Sequence, residues 1–154
     1  MNILFVCTGN TCRSAMAEGY AKKIIKEKKL DIKVSSSGIF AMSGEHASYN
    51  SISIMKEYNV DILLHKASTI QDQNLNNFDY IFCATENHKN YLLNNYENLE
   101  NKVFTMKEFA EKDNNQTDLD IKDPWGHDMN SYRVCAAEIS ICIDKIIEKL
   151  AKEV

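Results

Sequence analysis

The chain is poor in the residues that mark linkers and low-complexity segments. It has one proline, Pro124, and five glycines among 154 residues. No internal repeat and no tract rich in proline or serine divides it, which excludes a string of modules joined by flexible linkers. A length of 154 residues is that of one ordinary domain with a buried core. We therefore expect a single domain over residues 1–154.

The sequence also lacks a long hydrophobic run. No window is apolar enough to cross a membrane, and the N-terminus has neither the basic start nor the long apolar segment of a signal peptide. The five cysteines form no C-x-x-C pair and no metal-ligand spacing with histidine. We therefore expect reduced thiols in a cytoplasmic protein that has no metal ion and no membrane partner.

A long basic tract is missing as well. The net charge is −4 at neutral pH, whereas proteins that bind nucleic acid usually present clustered lysine and arginine. The lysines between residues 22 and 29 are interpreted as the solvated face of a helix. We therefore expect no nucleic-acid partner.

Short apolar segments alternate with helical patterns along the chain. Strands are predicted at residues 2–7, 32–36, 78–84 and 102–105, and helices at residues 14–29, 47–58, 86–95 and 130–152. Such alternation predicts an α/β fold, a single-domain three-layer sandwich in which a four-stranded parallel sheet has helices on both faces. Ligands bind such sheets at the carboxyl ends of the strands, and Cys7 ends the first strand.

Several details of these elements are also predicted. Ser36-Ser37-Gly38 is expected to be a turn of small residues after the second strand, and residues 113–120, rich in Asp and Asn, a loop. Cys83, Cys135 and Cys142 are expected to pack in the core. The positions of the last helix expected to be buried are Val134, Ala137, Ile141, Ile146 and Ile147.

The segment from Cys7 to Ser14 reads Cys-Thr-Gly-Asn-Thr-Cys-Arg-Ser and lies between the first strand and a helix. A loop of this length can wrap one tetrahedral oxyanion, with backbone N–H groups pointing inward and the helix adding its positive end. The same field favours the thiolate form of Cys7, and Arg13 supplies a bidentate fork. A buried structural cysteine would explain Cys7 alone, but not Arg13, Ser14 and the Gly-Asn turn together.

Two polar residues of this segment have predicted structural roles. Asn10 is expected in the left-handed backbone conformation, which Asn tolerates better than most residues. Ser14 lies where the loop meets the helix, so it either donates a hydrogen bond to the Cys7 thiolate or caps the helix, or does both.

Four motifs together resemble a known family. Residues 6–18 are similar to the signature of the low-molecular-weight protein tyrosine phosphatases, and three further motifs follow in the family's order. These are Ser36-Ser37-Gly38, His65-Lys66-Ala67 and Asp123-Pro124-Trp125. The resemblance therefore covers the chain from residue 1 to about its end. Thr11, Phe40 and the Asp-Pro-aromatic-Gly sequence look like the bacterial branch that removes phosphate from protein arginine.

The chemistry of the residues and the resemblance together imply a catalytic scheme. Cys7 attacks phosphorus and forms a cysteinyl-phosphate intermediate, while Arg13 and the N–H groups of the loop residues hold the phosphate oxygens. These loop residues are Thr8, Gly9, Asn10, Thr11, Cys12 and Arg13. No metal or organic cofactor is implied, since the loop and Arg13 supply the positive charge.

The resemblance also assigns the proton donor and the supporting residues. The sequence alone does not choose among Asp118, Asp120, Asp123 and Asp128, and the family motif selects Asp123 as general acid and then general base. The resemblance further implies that Ser36 and His65 brace Asn10 through hydrogen bonds.

The substrate is expected to be a phosphorylated protein side chain. Thr11 is predicted to face the channel above the phosphate, where a short hydroxyl side chain favours a guanidinium over an aromatic ring. The tyrosine-directed members of the family commonly place two aromatic residues after Asp-Pro, whereas Trp125 is followed by Gly126, so the resemblance implies that one wall of an aromatic slot is missing. Phe40 and Trp125 either pack against the substrate stem or are ordinary exposed aromatic residues. Phosphoarginine is therefore favoured over phosphotyrosine, and the chain is expected to act as a monomer.

Two other function classes fit the sequence less well. An arsenate reductase with a similar loop needs two further cysteines after the third strand, whereas residues 85–91 contain none after Cys83. A non-catalytic phosphate-binding module would need neither Cys7 nor Asp123. A further hypothesis is that oxidation joins Cys7 to Cys12 and switches the enzyme off reversibly, the alternative being that Cys12 is only an inward-facing loop residue.

Overall fold

The computed structural model of the chain describes residues 1–111 and 117–154. The loop predicted at residues 113–120 therefore lies partly outside the described residues, and residues 117–120 form neither helix nor strand. Within these two ranges, no helix is both long enough and apolar enough to span a membrane.

The described chain forms four strands and five α-helices. The strands are β1 (Asn2–Cys7), β2 (Lys33–Gly38), β3 (Tyr80–Cys83) and β4 (Val103–Thr105). The helices are α1 (Arg13–Glu27), α2 (Tyr49–Glu57), α3 (Glu86–Asn95), α4 (Met106–Ala110) and α5 (Met129–Leu150). Two 3₁₀ helices, Ile70–Asp72 and Leu75–Asn77, precede β3.

The strands form one parallel sheet in the order β2-β1-β3-β4. Cys7 pairs with Gly38 at the end of β2, and Val6 pairs with Cys83 at the end of β3. The chain moves to one side of β1 to form β2 and to the other side to form β3. The carboxyl end of β1 is therefore the point where the strand order reverses, and such points form ligand-binding crevices.

Both faces of the sheet are buried. Ile3 and Phe5 of β1 belong to the apolar core that includes residues of α1 and α5. Leu4 and Val6 belong to a second core with Leu92 of α3 and the 3₁₀ segments. A parallel sheet buried on both faces explains the continuous apolar sequence of β1. The predicted three-layer α/β sandwich is confirmed.

Two details of the prediction are wrong. Ser36, Ser37 and Gly38 lie in strand β2 instead of forming a turn after it, because they continue the parallel pairing with β1. Val134 and Ile141 of α5 are 54% and 55% exposed, because the buried stripe of this helix follows other positions. That stripe includes Cys135, Ile139, Cys142, Ile143, Ile146 and Ile147. Core packing of Cys83, Cys135 and Cys142 is confirmed.

The sequence reading missed the short helix α4. Thr105 accepts a hydrogen bond from the backbone of Glu108, and the Glu108 carboxylate accepts one from the backbone of Thr105. This reciprocal pair is a capping box, and its Thr-x-x-Glu sequence was available as a signal. The Glu108 carboxylate also pairs with Lys89 at 2.8 Å, which links α4 to α3.

Candidate active site

The loop between β1 and α1 lies against the end of β2. A Cβ atom on Gly38 would lie 2.5 Å from the Thr8 carbonyl oxygen and 3.0 Å from the Asn10 nitrogen. Any larger residue at position 38 would therefore push the loop away from the sheet. The small residues at the end of β2 allow the loop to curl back over the strand ends.

The carbonyl groups of this loop point away from its inside. They accept from donors on surrounding segments: Thr8 O from Phe40 N (3.0 Å), Asn10 O from His65 Nε2 (2.7 Å), Thr11 O from Ser48 N (3.0 Å) and Cys12 O from Met16 N (2.9 Å). In a planar trans peptide the N–H of the next residue points the opposite way. The N–H groups of four residues are thereby directed to the inside of the loop, where they form an anion-binding nest. These residues are Gly9, Thr11, Cys12 and Arg13.

Asn10 holds the shape of the loop from behind. Its φ of 57° is in the left-handed region, which confirms the predicted conformation. The side chain is fully buried, and its Nδ2 donates to Ser14 Oγ and to Ser36 Oγ, both at 2.8 Å. Its Oδ1 accepts from the backbone N–H of Ser68 at 3.0 Å, a contact that the sequence reading missed.

Glu18 of α1 is a second residue that the sequence reading missed, although it lies in the signature segment. Its carboxylate accepts a hydrogen bond from Ser36 Oγ and lies 3.7 Å from His65 Nδ1. Ser36 accepts a hydrogen bond from the Asn10 side chain, and His65 contacts the Asn10 carbonyl. Glu18 thus joins both of them to the same helix that begins at Arg13.

Cys7 and Ser14 are in direct contact beneath the loop. Their Sγ and Oγ atoms lie 2.8 Å apart, and both residues are buried. Because Asn10 Nδ2 already donates to Ser14 Oγ, the Ser14 hydroxyl hydrogen is available to the sulfur. The capping role considered for Ser14 is wrong, because Ser14 is the second residue of α1 and the N-cap is Cys12, without a side-chain cap bond.

Arg13 connects the loop to the segment before α5. Its buried guanidinium donates from Nη1 to the Ile121 carbonyl at 3.0 Å, and Nη2 lies 3.5 Å from Oδ2 of Asp123. The Ile121 N–H in turn donates to Ala84 O at the end of β3. Arg13 Nε is buried and has no hydrogen-bond partner among the described residues. A buried donor of this kind is free to donate to an anion that binds in the loop.

The structure distinguishes among the four candidate aspartates. Asp118 accepts from the backbone of Asp120, Asp120 from the backbone of Glu86, and Asp128 from the backbone of Ser131 at the start of α5. The hydrogen bonds from the backbone N–H and the hydroxyl of Ser131 lower the pKa of the Asp128 carboxyl. Asp123 is the one of the four that contacts Arg13 and lines the pocket over Cys7.

One pocket brings most of the predicted site residues together. It is lined by Cys7, Thr8, Gly9, Thr11, Cys12, Arg13, Phe40, Asp123 and Trp125, and also by Met42 and Glu45. Phe40 and Trp125 are 73% and 69% exposed at its mouth, and Phe40 packs edge-on against Tyr91. Asn10, Ser14, Ser36 and His65 do not line the pocket but lie behind the loop.

The Cys12 thiol lies against the start of α2 and against α5. Its Sγ lies 3.3 Å from Tyr132 Oη and 3.4 Å from Ser48 Oγ. Burial, together with the Cys12 contact, raises the pKa of Tyr132 to about 12. All five cysteines are free thiols in this structure, and the Cys7–Cys12 disulfide stays a prediction.

His88 of α3 is a third residue that sequence reasoning missed, and it supports the loop from the other side. Its Nε2 lies 2.8 Å from Thr8 Oγ1, and its Nδ1 lies 2.9 Å from Thr85 Oγ1. Burial, and then the charge of Arg13, lowers the pKa of His88 from 6.5 to about 4. A lone histidine within a helix gave no sequence signal for this role.

The low pKa of His88 predicts a loss of stability in mild acid. Above pH 6.5 the imidazole is neutral in both folded and unfolded chains, whereas between about pH 4 and 6.5 only the unfolded chain binds the proton. We expect the free energy of unfolding to fall across this interval, and to fall less in His88→Gln. Urea titrations at several pH values measure it, with exposed His127→Gln as the control. An NMR titration of His88 centred near pH 6.5 would contradict the prediction.

No cluster of three or more His, Cys, Asp or Glu side chains within residues 1–111 and 117–154 has a geometry that could hold a metal ion.

Comparison with known proteins extends over the whole chain. The sequence profile of the family named Low molecular weight phosphotyrosine protein phosphatase matches residues 2–154. A protein-arginine-phosphatase of Geobacillus stearothermophilus is 34% identical over 152 residues, which cover 98% of this chain and 97% of that protein. A low molecular weight protein tyrosine phosphatase from T. tengcongensis superposes with a TM-score of 0.89 at 39% identity, covering 97% of this chain and 99% of the other.

A further solved structure is of a related enzyme changed at its active site. The C7S mutant of the YwlE arginine phosphatase, with a phosphorylated active site serine, superposes with a TM-score of 0.91 at 29% identity. The alignment covers 99% of this chain and 97% of the other.

Proposed function

Because the chain belongs to the low molecular weight phosphotyrosine protein phosphatase family, we propose that it is a protein phosphatase that hydrolyses phosphoarginine through a cysteinyl-phosphate intermediate. The observation that carries this proposal is the single pocket lined by Cys7, Thr11, Arg13 and Asp123, in which Arg13 contacts Asp123. A thiol, a guanidinium and a carboxyl group around an anion-binding nest are the groups that phosphoryl transfer to a cysteine requires.

In the first step the Cys7 thiolate attacks phosphorus, and the bond between sulfur and phosphorus forms as the bond to the leaving nitrogen breaks. The N–H groups of the loop and Arg13 hold the three equatorial oxygens, where charge shifts in the transition state. Asp123, as the carboxylic acid, gives its proton to the leaving nitrogen. Ser14 supports this step, because its hydroxyl lies 2.8 Å from the sulfur and stabilises the thiolate.

In the second step water attacks the phosphorus of the intermediate. The Asp123 carboxylate takes a proton from that water, the bond between sulfur and phosphorus breaks, and phosphate leaves. The Cys7 thiolate and the protonated Asp123 are restored, so no external reductant or cofactor is consumed. The half-exposed position of the Asp123 side chain gives water access to it.

The choice of phosphoarginine rests on the shape and polarity of the mouth. Thr11 lines the pocket with a short hydroxyl side chain, which leaves polar room for a guanidinium. Gly126, with a φ of 79°, allows the chain to turn directly after Trp125. Trp125 is therefore not followed by a second aromatic residue that could enclose a flat ring. Similarity to the protein-arginine-phosphatase of Geobacillus stearothermophilus supports phosphoarginine as the substrate. Similarity to the tyrosine phosphatase from T. tengcongensis supports phosphotyrosine as the alternative substrate.

Matched phosphoarginine and phosphotyrosine peptides test this choice. We expect kcat/KM to be at least tenfold higher for phosphoarginine, and Thr11→Ile to shift the ratio toward phosphotyrosine by filling the polar space with an apolar side chain. Val134→Ile, an exposed change on α5, is the matched control. A wild-type preference for phosphotyrosine would overturn the substrate while leaving the cysteine mechanism in place.

The thiols outside the pocket argue against an arsenate reductase. Burial raises the pKa of Cys83 far above its ordinary value, which disfavours a reactive thiolate there. Burial likewise raises the pKa of Cys135 to about 12 and that of Cys142 to about 11. Cys7 and Cys12 are the two cysteines that line the pocket.

We further propose that the substrates are phosphorylated proteins in the cytoplasm and that the chain acts as a monomer. The exposed rim around Phe40 and Trp125 is open enough to admit a side chain on a protein surface. Reduced cysteines, which the mechanism requires at Cys7, are typical of the cytoplasm.

A further inference from the structure

Glu45 lines the mouth of the pocket but has no role in the scheme above. It lies on the segment after β2, and two hydrogen bonds to Ala67 hold the backbone of this segment. The Ala67 N–H donates to Glu45 O, and the Gly44 N–H donates to Ala67 O, both at 2.8 Å. The next residue after Ala67 is Ser68, whose N–H holds Asn10. Glu45 is therefore attached to the same framework that fixes the phosphate-binding loop.

No positively charged side chain that lines the pocket in the described chain is free to pair with the Glu45 carboxylate. Arg13 is the one lysine or arginine among the described residues that line the pocket, and it is engaged with Asp123 and the Ile121 carbonyl. The Glu45 carboxylate forms no ion pair with any residue in the described ranges. A second carboxylate near a bound phosphate dianion repels it, unless the substrate brings a positive charge of its own.

We propose that Glu45 is a specificity-determining residue that pairs with the guanidinium of the substrate arginine, an inference that rests on the proposed function. Asp123 cannot supply this countercharge in the first step, because as general acid it carries a proton and is neutral. Glu45 takes no part in proton transfer. The same carboxylate disfavours phosphotyrosine in an acidic sequence, where every group near the phosphate is negative or neutral.

Glu45→Gln tests the pairing by removing the charge at nearly constant shape. On a capped single phosphoarginine, which has no neighbouring side chains, we expect kcat/KM to fall about two- to fivefold at low salt, the range of an exposed ion pair. The loss should shrink at high ionic strength, where such pairs are screened. On a phosphotyrosine peptide kcat/KM should stay constant or rise. Glu97→Gln, an exposed carboxylate outside the pocket, should change neither value.

Inhibition by two matched phosphonates separates this inference from the proposed function. Benzylphosphonate and its 4-guanidino derivative differ only in the cation, so the ratio of their inhibition constants reports charge recognition whatever the enzyme hydrolyses. We expect Glu45→Gln to lose the preference for the guanidino compound. If the wild type ignores phosphoarginine, the proposed function fails, and with it the assignment of Glu45 to a substrate arginine, even where the variant loses the preference for the guanidino compound. If the wild type hydrolyses phosphoarginine and the variant keeps that preference, only the Glu45 inference fails.

Two results overturn the inference. An equal loss on cationic and neutral ligands would show that Glu45 acts on the loop structure and not on charge. A loss confined to peptides with lysine beside the phosphorylated residue would assign Glu45 to a flanking cation in place of the guanidinium.

Discussion

Replacing Cys7 by Ser is expected to abolish turnover while phosphate binding remains. The serine hydroxyl keeps nearly the size of the thiol but is a far weaker nucleophile at neutral pH. The groups that hold the phosphate, the loop N–H groups and Arg13, are not altered by the change. We expect kcat for an aryl phosphate to fall by at least about four orders of magnitude, as for other nucleophile replacements. Calorimetry with inorganic phosphate or vanadate should still detect binding to the variant.

The control for this experiment is Cys142→Ala on α5. Cys142 is a buried thiol of this helix and does not line the pocket. We expect it to lower thermal stability but to keep the wild-type kcat. Circular dichroism checks that Cys7→Ser is folded. A folded Ser variant with more than a few per cent of the wild-type rate would contradict the proposed nucleophile.

The sequence determines the fold here because the signals are local. The apolar run from Ile3 to Cys7 is typical of a doubly buried parallel strand, and the helix after it begins at Arg13, one residue before the predicted start. The same local reading failed for Val134 and Ile141 of α5. Their apolar character is plain, but which side of a helix is buried depends on the elements that pack against it, and those are fixed only by the whole fold.

The proposed catalytic groups follow the same rule. Cys7, Arg13 and Ser14 lie within one segment of eight residues, so the anion-binding loop can be predicted from the sequence. The Arg13 contact with the Ile121 carbonyl joins residues 108 positions apart, and that of Thr8 with His88 joins residues 80 apart. No local residue pattern predicts contacts between residues so far apart in the sequence. Glu45 likewise reads as an ordinary exposed carboxylate until the fold places it in the pocket.

Asp123→Asn is expected to slow catalysis according to the leaving group. Without the acid, the leaving atom must depart unprotonated, which costs most for a basic nitrogen or an alkoxide. We expect kcat/KM to fall by about two to three orders of magnitude on phosphoarginine, and far less on dinitrophenyl phosphate, whose leaving group needs no proton. Steady-state rates over a series of phenyl phosphates measure this dependence as the slope against the basicity of the leaving group.

The Asn variant isolates chemistry from structure. The Asp123 side chain accepts from the backbone N–H of Trp125 at 3.1 Å, and the amide oxygen of Asn can accept the same bond, so the turn into Trp125 is kept. Asp118→Asn is the matched control, because its carboxylate contacts only nearby backbone in the described chain. If Asp118→Asn steepened the dependence on the leaving group and Asp123→Asn did not, the acid would have to be reassigned. A uniform loss over all leaving groups would instead mean that Asp123 serves the enzyme by positioning Arg13, its partner at 3.5 Å.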